Sequence, residues 1–338
     1  MRGGAVNFWR LSRQLGLLMV VLAMFLAFAA TSEPFRDSVN LLDRMRLWTE
    51  IGLIAIPMTW IIATGGIDLS VGSLVALSSM VAGVAYSQLR LPFPIALAAG
   101  VLAGVAGGAA NGVAASVGKV PPLVATLATL AIYRGIAMGL GQGQPISGFP
   151  PPFGEWGNLA FVGSGPYAIP QQLLILLAMV LLGEVLLQKS RCGRWTLLLG
   201  ENEVAARFAG IPVASLRFGL FVMSGLVSGL AAVTYMARSA TAHPAANAGL
   251  ELQAIACVVI GGTRITGGSG SVLGTFLGLL FLACLDFGLE MNGVLQQTQT
   301  ILVGVLVVVI AVFNEWFARM SERRTPAAPL SSRTEGAG

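Results

Sequence analysis

The chain has 338 residues, of which 55% are hydrophobic and only 10% are charged, and its mean hydropathy is +0.80. A soluble domain usually carries about 25% charged residues, so this composition excludes an ordinary soluble protein and indicates a polytopic membrane protein. The net charge of +5 does not indicate a nucleic-acid partner, because the basic residues are distributed among the loops in the manner of a membrane protein.

Apolar runs that can form transmembrane helices account for most of the chain. A helix needs about 20 apolar residues to cross a bilayer, so this length suits about ten spans joined by short loops. We therefore predict an all-α membrane protein whose transmembrane domain covers residues 15–316. The predicted spans are 15–31, 50–64, 70–87, 93–117, 122–141, 170–188, 214–237, 251–263, 270–289 and 297–316.

The first span has two interpretations. Arg10 and Arg13 precede it, and it ends in AFAATS, where Ala27 and Ala29 match the small-residue pattern of a signal-peptide cleavage site. The segment is therefore either a retained helix, which we favour, or a cleaved leader.

Lysine and arginine residues in the loops predict the orientation. Ten spans put both termini on one side, and that side receives 14 of the 20 basic residues, so both termini are predicted to be cytoplasmic. Residues 1–14 then form a cytoplasmic N-terminus, 142–170 a periplasmic loop without Lys or Arg, and 189–213 a cytoplasmic loop. Residues 317–338 are predicted to be a disordered cytoplasmic tail.

Two of the predicted spans are too short to cross a bilayer as straight helices. Residues 51–64 would extend about 21 Å against about 30 Å of hydrocarbon, and 251–263 are shorter still. Each run is followed by a glycine cluster and then by serines that can cap the next helix. The pattern predicts broken helices at two related positions, 65–73 and 261–271, as in transporters built from internal repeats.

Asp68 lies in the first of these breaks, within ATGGIDLSVGS. An ionisable residue inside the bilayer is costly and is often functional, so direct ligand binding or ion coupling is one interpretation. The other interpretation is structural. Asp68 or Ser70 would accept hydrogen bonds from the first amides of the next helix, which lowers the cost of the carboxylate. We favour the structural cap.

Motifs for catalysis are weak in this sequence. The stretch from Gly112 to Val120 has one residue too many between its glycines for a phosphate-binding loop, and no Ser or Thr follows its lysine. Gly267-Gly268-Ser269-Gly270 resembles a serine-nucleophile site, but the one histidine, His243, is placed on the outer side. A tight turn that starts a helix is favoured there. We predict no enzyme activity, no metal site and no cofactor in this chain.

The loop at 189–213 contains a short predicted helix. Gly200 opens it, Glu201 or Asn202 can cap it, and Gly210 stops it. A two-turn helix between two spans has no core of its own, so it either lies on lipid or docks a cytoplasmic partner. Its apolar positions at helical spacing are Val204, Ala205, Phe208 and Ala209.

Several ordered stretches resemble the membrane subunits (permeases) of ATP-binding-cassette sugar importers, in the ribose, xylose, rhamnose and autoinducer-2 branch. The resemblance extends over about residues 45–315 and implies the all-helical, type II importer-like permease fold of roughly ten spans. The stretches are TGGIDLSVGSLVAL near 64–77, KVPPLVATLATLAIYRGI near 119–136, GRWTLLLGENEVAARFAGIPV near 193–213 and AIACVVIGGTRITGGSGSVLGTFLGLL near 254–280.

The resemblance implies a permease of the bacterial inner membrane that imports a small sugar or sugar-like molecule. Rhamnose and autoinducer-2 types are favoured, and ribose and xylose types stay open. The subunit would pair with an identical or related permease, two ATP-binding subunits and a periplasmic solute-binding protein. ATP and Mg²⁺ would be bound by the partner ATPase. The alternative is a secondary sugar carrier driven by an ion gradient.

The resemblance also implies where the functional residues lie. The short helix of the 189–213 loop would couple to the ATPase, although Glu201 stands where the family often has a second glycine. The predicted coupling residues are Gly200, Glu201, Asn202, Ala205, Ala206, Arg207, Phe208 and Gly210. The predicted pathway or helix-break residues are Gly65, Gly66, Asp68, Ser70, Ser73, Asn111, Thr126, Gly267, Gly268, Ser269 and Gly270. The glycines predicted to allow close helix packing are Gly100, Gly104, Gly107 and Gly108.

Overall fold

A computed structural model describes residues 2–158, 160–162 and 169–323, and these residues are almost entirely helical. A small antiparallel pair of strands, β1 (Ala160–Val162) and β2 (Ile169–Pro170), is the exception within them. The helices are α1 (Arg2–Thr31), α2 (Glu33–Arg36), α3 (Ser38–Leu47), α4 (Thr49–Ala63), α5 (Val71–Ser87), α6 (Phe93–Ser116), α7 (Pro122–Gly141), α8 (Pro151–Asn158), α9 (Gln171–Lys189), α10 (Arg191–Glu201), α11 (Glu203–Phe208), α12 (Val213–Ser239), α13 (Leu250–Ile260), α14 (Val272–Met291) and α15 (Gln296–Arg323).

Each of the ten predicted apolar runs contains a helix, which confirms the all-α membrane fold. By length and composition, six helices of the described residues can cross a membrane alone, namely α1, α6, α7, α9, α12 and α14. A seventh candidate span is the pair α3 and α4, which is bent by 47° at its break. Helices α5 and α13 are shorter apolar helices. The predicted number of ten is therefore a count of apolar helices, of which six or seven qualify as spans by length and composition within the described residues.

The short helices lie inside the bundle. Every residue of α4 is buried, and α4 packs against α9, α12, α13 and α14. A helix that is enclosed by protein need not match the thickness of the hydrocarbon, because its neighbours can satisfy the backbone groups at its ends. The shortness of the run at 51–64 thus marks a helix that the rest of the bundle encloses.

Helices α6 and α12 make the most extensive contact between two helices in the structure. Gly104 and Gly108 of α6 face α12, where a Cβ on Gly225 would overlap the carbonyl oxygen of Gly104. Gly100 and Gly107 face α5 instead, against the backbone of Ser78 and the side chain of Leu74. The predicted role of these glycines in close packing is confirmed, because each approaches a neighbour with no room for a side chain.

The region predicted as the periplasmic loop 142–170 is partly ordered. It contains α8 and the two strands, and Ile146 forms an isolated antiparallel bridge with Ala242. Phe153 of α8 packs against Phe93 with ring centroids 4.7 Å apart. Aromatic packing therefore holds this region against the start of α6. Residues 159 and 163–168 lie outside the described part of the chain.

Both ends of the membrane domain are helical beyond their predicted limits. Helix α1 begins at Arg2, within the predicted N-terminal segment, and packs along α14. Gln14 donates a hydrogen bond to the Ser271 hydroxyl at 2.8 Å, and the Phe28 ring fills the space over Gly288. Helix α15 continues to Arg323, into the predicted tail, and residues 324–338 lie outside the described residues.

Candidate functional site

The 189–213 loop folds into two short helices between α9 and α12. Asn202 caps α11, because its side-chain oxygen accepts a hydrogen bond from the Ala205 amide at 3.0 Å. Gly210 follows the helix with φ of +77°, the left-handed conformation that favours glycine at a helix end. The predicted cap and stop are confirmed. Gly200 does not open this helix, however, since it lies within α10.

Helix α11 exposes apolar side chains. Phe208 is 89% exposed and Val204 is 62% exposed, and Ala205 is exposed beside them. Ala206 is instead buried, because adjacent residues of a helix point about 100° apart. Of the predicted coupling residues, Ala206 therefore does not lie on the exposed face of α11. The cluster that buries Ala206 consists of Leu199, Ile211, Val213 and Leu216.

Glu203 fixes α11 to its surroundings. Its carboxylate accepts a hydrogen bond from Arg207, one turn later, at 2.6 Å, and another from Arg217 of α12 at 2.9 Å. The hydrogen bond from Arg207, followed by that from Arg217, holds the pKa of Glu203 below its usual value. The exposed Phe208 is thus carried by a helix that is attached to the next span.

Asp68 organises the first helix break. One carboxylate oxygen accepts hydrogen bonds from the Ser70 amide at 3.0 Å and the Ser70 hydroxyl at 2.7 Å. The other accepts from the Ser224 hydroxyl of α12 at 2.8 Å. Asp68 is fully buried. The bond to the Ser70 amide confirms that the Asp68 side chain caps the restart of the helix, and the bond to Ser224 ties the break to α12.

The polar contacts continue from Ser70 into α6 and α7. Asn111 donates to the Ser70 hydroxyl at 2.7 Å, and the single proton of the Tyr133 hydroxyl is shared between the Gly107 carbonyl at 2.8 Å and the Asn111 side-chain oxygen at 3.2 Å. The donors in this chain point towards Asp68, so the carboxylate is the terminal acceptor. The network joins the break to three helices, α6, α7 and α12.

The polar residues predicted for the pathway are buried and hydrogen-bonded. Ser70, Ser73, Asn111 and Thr126 are all fully buried. Ser73 donates to the Ser70 carbonyl at 2.8 Å, and Thr126 donates to the Ile67 carbonyl at 3.1 Å. In this conformation they close the break, which supports the structural interpretation, and a role in contacting substrate stays a prediction.

The second break uses glycine more heavily than the first. Gly267 and Gly268 have φ of +90° and +80°, and the Ser269 carbonyl accepts from the Arg264 amide at 3.3 Å. Ser271 then caps α14 by accepting from the Gly274 amide at 3.0 Å. The predicted serine cap is confirmed here. At the first break, Ser70 occupies the N-cap position without a side-chain capping bond, and its oxygen accepts from Asn111 instead.

Glu184 is a residue of the second break that its place in the sequence did not reveal. It lies on α9 and is 8% exposed, and one oxygen accepts from the Val272 and Leu273 amides at 2.7 and 3.1 Å. An acid from one helix thus binds the positive end of another, α14. The signal in the sequence was an acid within an otherwise apolar run, but its partner lies 88 residues away.

The two breaks meet beside helix α10. The Gly268 amide donates to the carbonyl of Ala63, the last residue of α4, at 3.0 Å. Gly200 of α10 lies against both groups, so closely that a Cβ would overlap the Ala63 oxygen and the Gly268 nitrogen. The structure therefore brings together Gly65, Gly200, Gly267 and Gly268, which the sequence had assigned to separate regions.

Within the described residues, no group of three or more His, Cys, Asp or Glu side chains could hold a metal ion. The cysteines are free thiols, with Cys192 exposed and Cys257 buried.

Comparison with known proteins identifies relatives along nearly the whole chain. Residues 40–311 match the family described as branched-chain amino acid transport system / permease component. The chain is 36% identical over 313 residues to the ribose import permease protein RbsC of Bacillus subtilis (strain 168), covering 91% of this chain and 95% of that protein. It is 33% identical over 329 residues to the autoinducer 2 import system permease protein LsrD of Escherichia coli (strain K12), covering 93% and 98%. No solved structure matches significantly.

Proposed function

Because this chain belongs to the family described as branched-chain amino acid transport system / permease component, we propose that it is the permease of an ATP-driven, binding-protein-dependent importer for a small sugar or sugar-like molecule. It is a multi-pass membrane protein. Its similarity to import permeases supports this function rather than that of an ion-coupled sugar carrier.

The observation that carries the proposal is the exposed surface of α11. Phe208 and Val204 project from a capped helix that Glu203 ties to α12. Exposed aromatic side chains on a rigid support are typical anchors of protein interfaces. Helix α11 therefore serves as the coupling helix and inserts Phe208 into a partner ATPase subunit.

The complete importer would contain two ATP-binding subunits, a second permease that is identical or related, and a solute-binding protein on the outer side. ATP and Mg²⁺ are bound by the ATPase subunits. The loop that carries α11 lies in the cytoplasm, as do both termini, in accordance with the distribution of Lys and Arg among the loops.

The substrate class follows from the named relatives. The proteins that match along the full length are named for ribose and autoinducer-2, whereas the family description names branched-chain amino acids. A sugar-like substrate needs hydrogen-bonding groups without a counter-ion, and the hydroxyl-rich residues around Asp68 could supply them if the break opens. Uptake of D-ribose, L-rhamnose, autoinducer-2 and L-leucine by the reconstituted importer distinguishes these classes.

The coupling role of α11 is tested by Phe208→Asp. A charge at an exposed position leaves the fold of the permease intact, but it removes an apolar anchor worth about 2 kcal/mol or more at an interface. We expect the permease to reach the membrane at the wild-type level and to lose both co-purification of the ATPase and ATP-driven uptake.

Leu295→Asp is the matched control, because Leu295 is 70% exposed in the turn after α14, far along the chain from α11. It should leave ATPase binding unchanged. Wild-type recovery of the ATPase with the Phe208→Asp permease would disprove the coupling role.

A further inference from the structure

Three backbone segments touch directly where α10 meets the helix breaks. They are the end of α4 at Ala63, the turn at Gly267–Gly268, and α10 at Gly200. The Gly268 amide donates to the Ala63 carbonyl at 3.0 Å, so the two breaks share a hydrogen bond. We call these three segments the glycine junction.

The junction contains no side chain between its backbones. A Cβ on Gly267 would come within 2.9 Å of the Gly200 Cα, the Gly200 oxygen and the Gly65 nitrogen. A Cβ on Gly200 would overlap the Ala63 carbonyl. Contacts between backbones leave less freedom than contacts between flexible side chains, so a displacement of α10 towards the breaks pushes directly on Ala63 and Gly267.

Helix α10 is in turn packed onto the coupling helix. Leu199, the neighbour of Gly200, shares a buried cluster with Ala206 of α11. Glu201 of α10 and Glu203 of α11 are separated by the single residue Asn202, which caps α11. A force on Phe208 is thus carried through α11 and α10 to Gly200 over a short path of packed elements.

We propose that the glycine junction transmits movement of the coupling helix to both helix breaks at once, with Gly200 as the positioning residue that connects them. The proposal rests on the proposed function of α11. In it, α10 and the turn at Gly267–Gly268 move as one rigid body during the ATP cycle, and the change of shape occurs farther along the buried helices α5 and α14.

Spin-label distances in the permease–ATPase complex test this directly, without knowledge of the substrate. The first variant carries labels at Leu198→Cys and Ile265→Cys, both exposed, and its distance reports on the junction. The second carries labels at Leu198→Cys and Leu89→Cys, and its distance reports on the far end of α5. Cys192 is changed to serine and Cys284 to alanine in each variant. Between the nucleotide-free and the MgATP-trapped complex, we expect the first distance to stay constant and the second to change.

Gly200→Ala should separate binding from transmission. The α11 surface is unchanged, so the ATPase should co-purify as with the wild type. The added methyl group pushes α10 away from Ala63. The Leu198–Ile265 distance should therefore become longer and its distribution broader, and the MgATP-dependent change in the Leu198–Leu89 distance should be lost. Gly219→Ala is the control, because nothing lies within 4 Å of its Cβ position.

The outcomes distinguish the two proposals. In one outcome the ATPase binds, and both the Leu198–Leu89 and the Leu198–Ile265 distances change with MgATP. The junction is then not rigid, so the inference is overturned while the proposed function stands. A Gly200→Ala complex that retains the MgATP-dependent change at Leu89 also overturns it. If the wild-type permease binds no ATPase, it is the proposed function that fails.

Discussion

Two buried acids, Asp68 and Glu184, are stabilised by hydrogen-bond donors at helix starts. Asp68 accepts from the amide at the restart of a helix and from two serine hydroxyls, and Glu184 accepts from the first amides of α14. Such donors and the positive end of a helix dipole lower the cost of a carboxylate within a membrane protein. Asp68 and Glu184 therefore have structural roles at the two breaks.

Asp68→Asn and Asp68→Ala differ in what they leave unsatisfied. The asparagine oxygen can still accept from the Ser70 amide, and its NH₂ group can donate to the Ser224 oxygen. Alanine leaves these buried donors without an acceptor, which costs about 1–3 kcal/mol for each group. We expect near-normal expression, stability and transport for Asp68→Asn and a lower melting temperature in detergent for Asp68→Ala. Loss of transport in well-expressed Asp68→Asn would contradict the capping role.

Glu203 predicts a pH dependence for the attachment of α11. Its pKa is lower in the folded protein than in the unfolded chain, so its ion pairs stabilise the fold above the ordinary glutamate pKa. This contribution is lost as the pH falls through the lowered folded value. The difference in melting temperature between the wild type and Glu203→Gln should be present at pH 7 and vanish in acid. A difference that is equal at both pH values would show that the charge is not responsible.

At the scale of secondary-structure elements, helices of different length have different positions. The long helices such as α6 and α7 expose much of their surface, whereas α4 is buried along its whole length. The two short helices α4 and α13 end at the helix breaks, and those breaks meet α10. Length alone does not decide burial, because the long helix α12 is also largely buried, but the end of α4 and the turn after α13 are the segments that contact α10.

The contact between α6 and α12 depends on missing side chains. A methyl group on Gly225 would overlap the Gly104 carbonyl, so Gly225→Ala should destabilise the permease by about 1–3 kcal/mol, the usual cost of overpacking. Gly219→Ala, on the same helix with open space, should be neutral or stabilising by up to about 1 kcal/mol through helix propensity. Thermal unfolding in detergent measures both. Equal melting temperatures for the two variants would show that the helices separate at little cost.

On the scale of the whole molecule, the exposed surface of α11 and the two breaks are joined through α10. Phe208 is exposed at one end, and the Asp68 network joins α6, α7 and α12 at the other. This arrangement suits a subunit that receives mechanical work from a partner. Ion coupling would instead require the buried acids to bind and release an ion during each cycle.

The source of energy can therefore be tested on the complete importer. In vesicles loaded with ATP, with the binding protein outside, uptake should persist when an uncoupler removes the membrane potential, and it should stop when ATP is omitted. Omission of the binding protein controls for leakage. Uptake that collapses with the potential at constant ATP would instead support the ion-coupled carrier.

The sequence by itself determined the ten apolar helices, although it did not predict α2, α3, α8 and α10. The length of an apolar run does not depend on partners, so all ten runs were found, and local hydrogen bonding explains why the caps at Asn202 and Ser271 could be predicted. The Asx-type bond from Asp68 to the Ser70 amide is also local, since it joins residues two apart. The ordered motifs identified the family of importer permeases.

Only the tertiary structure decided which of these pieces meet. The resemblance implied that Ala206 is a coupling residue, but the fold buries it in a cluster with Leu216 of α12. The sequence predicts that Gly200 opens a short helix. In the structure, Gly200 instead packs against Ala63 and Gly268, which are distant in the chain. Contacts between distant segments follow from the complete arrangement of helices, because no local pattern encodes which backbones come within hydrogen-bonding distance.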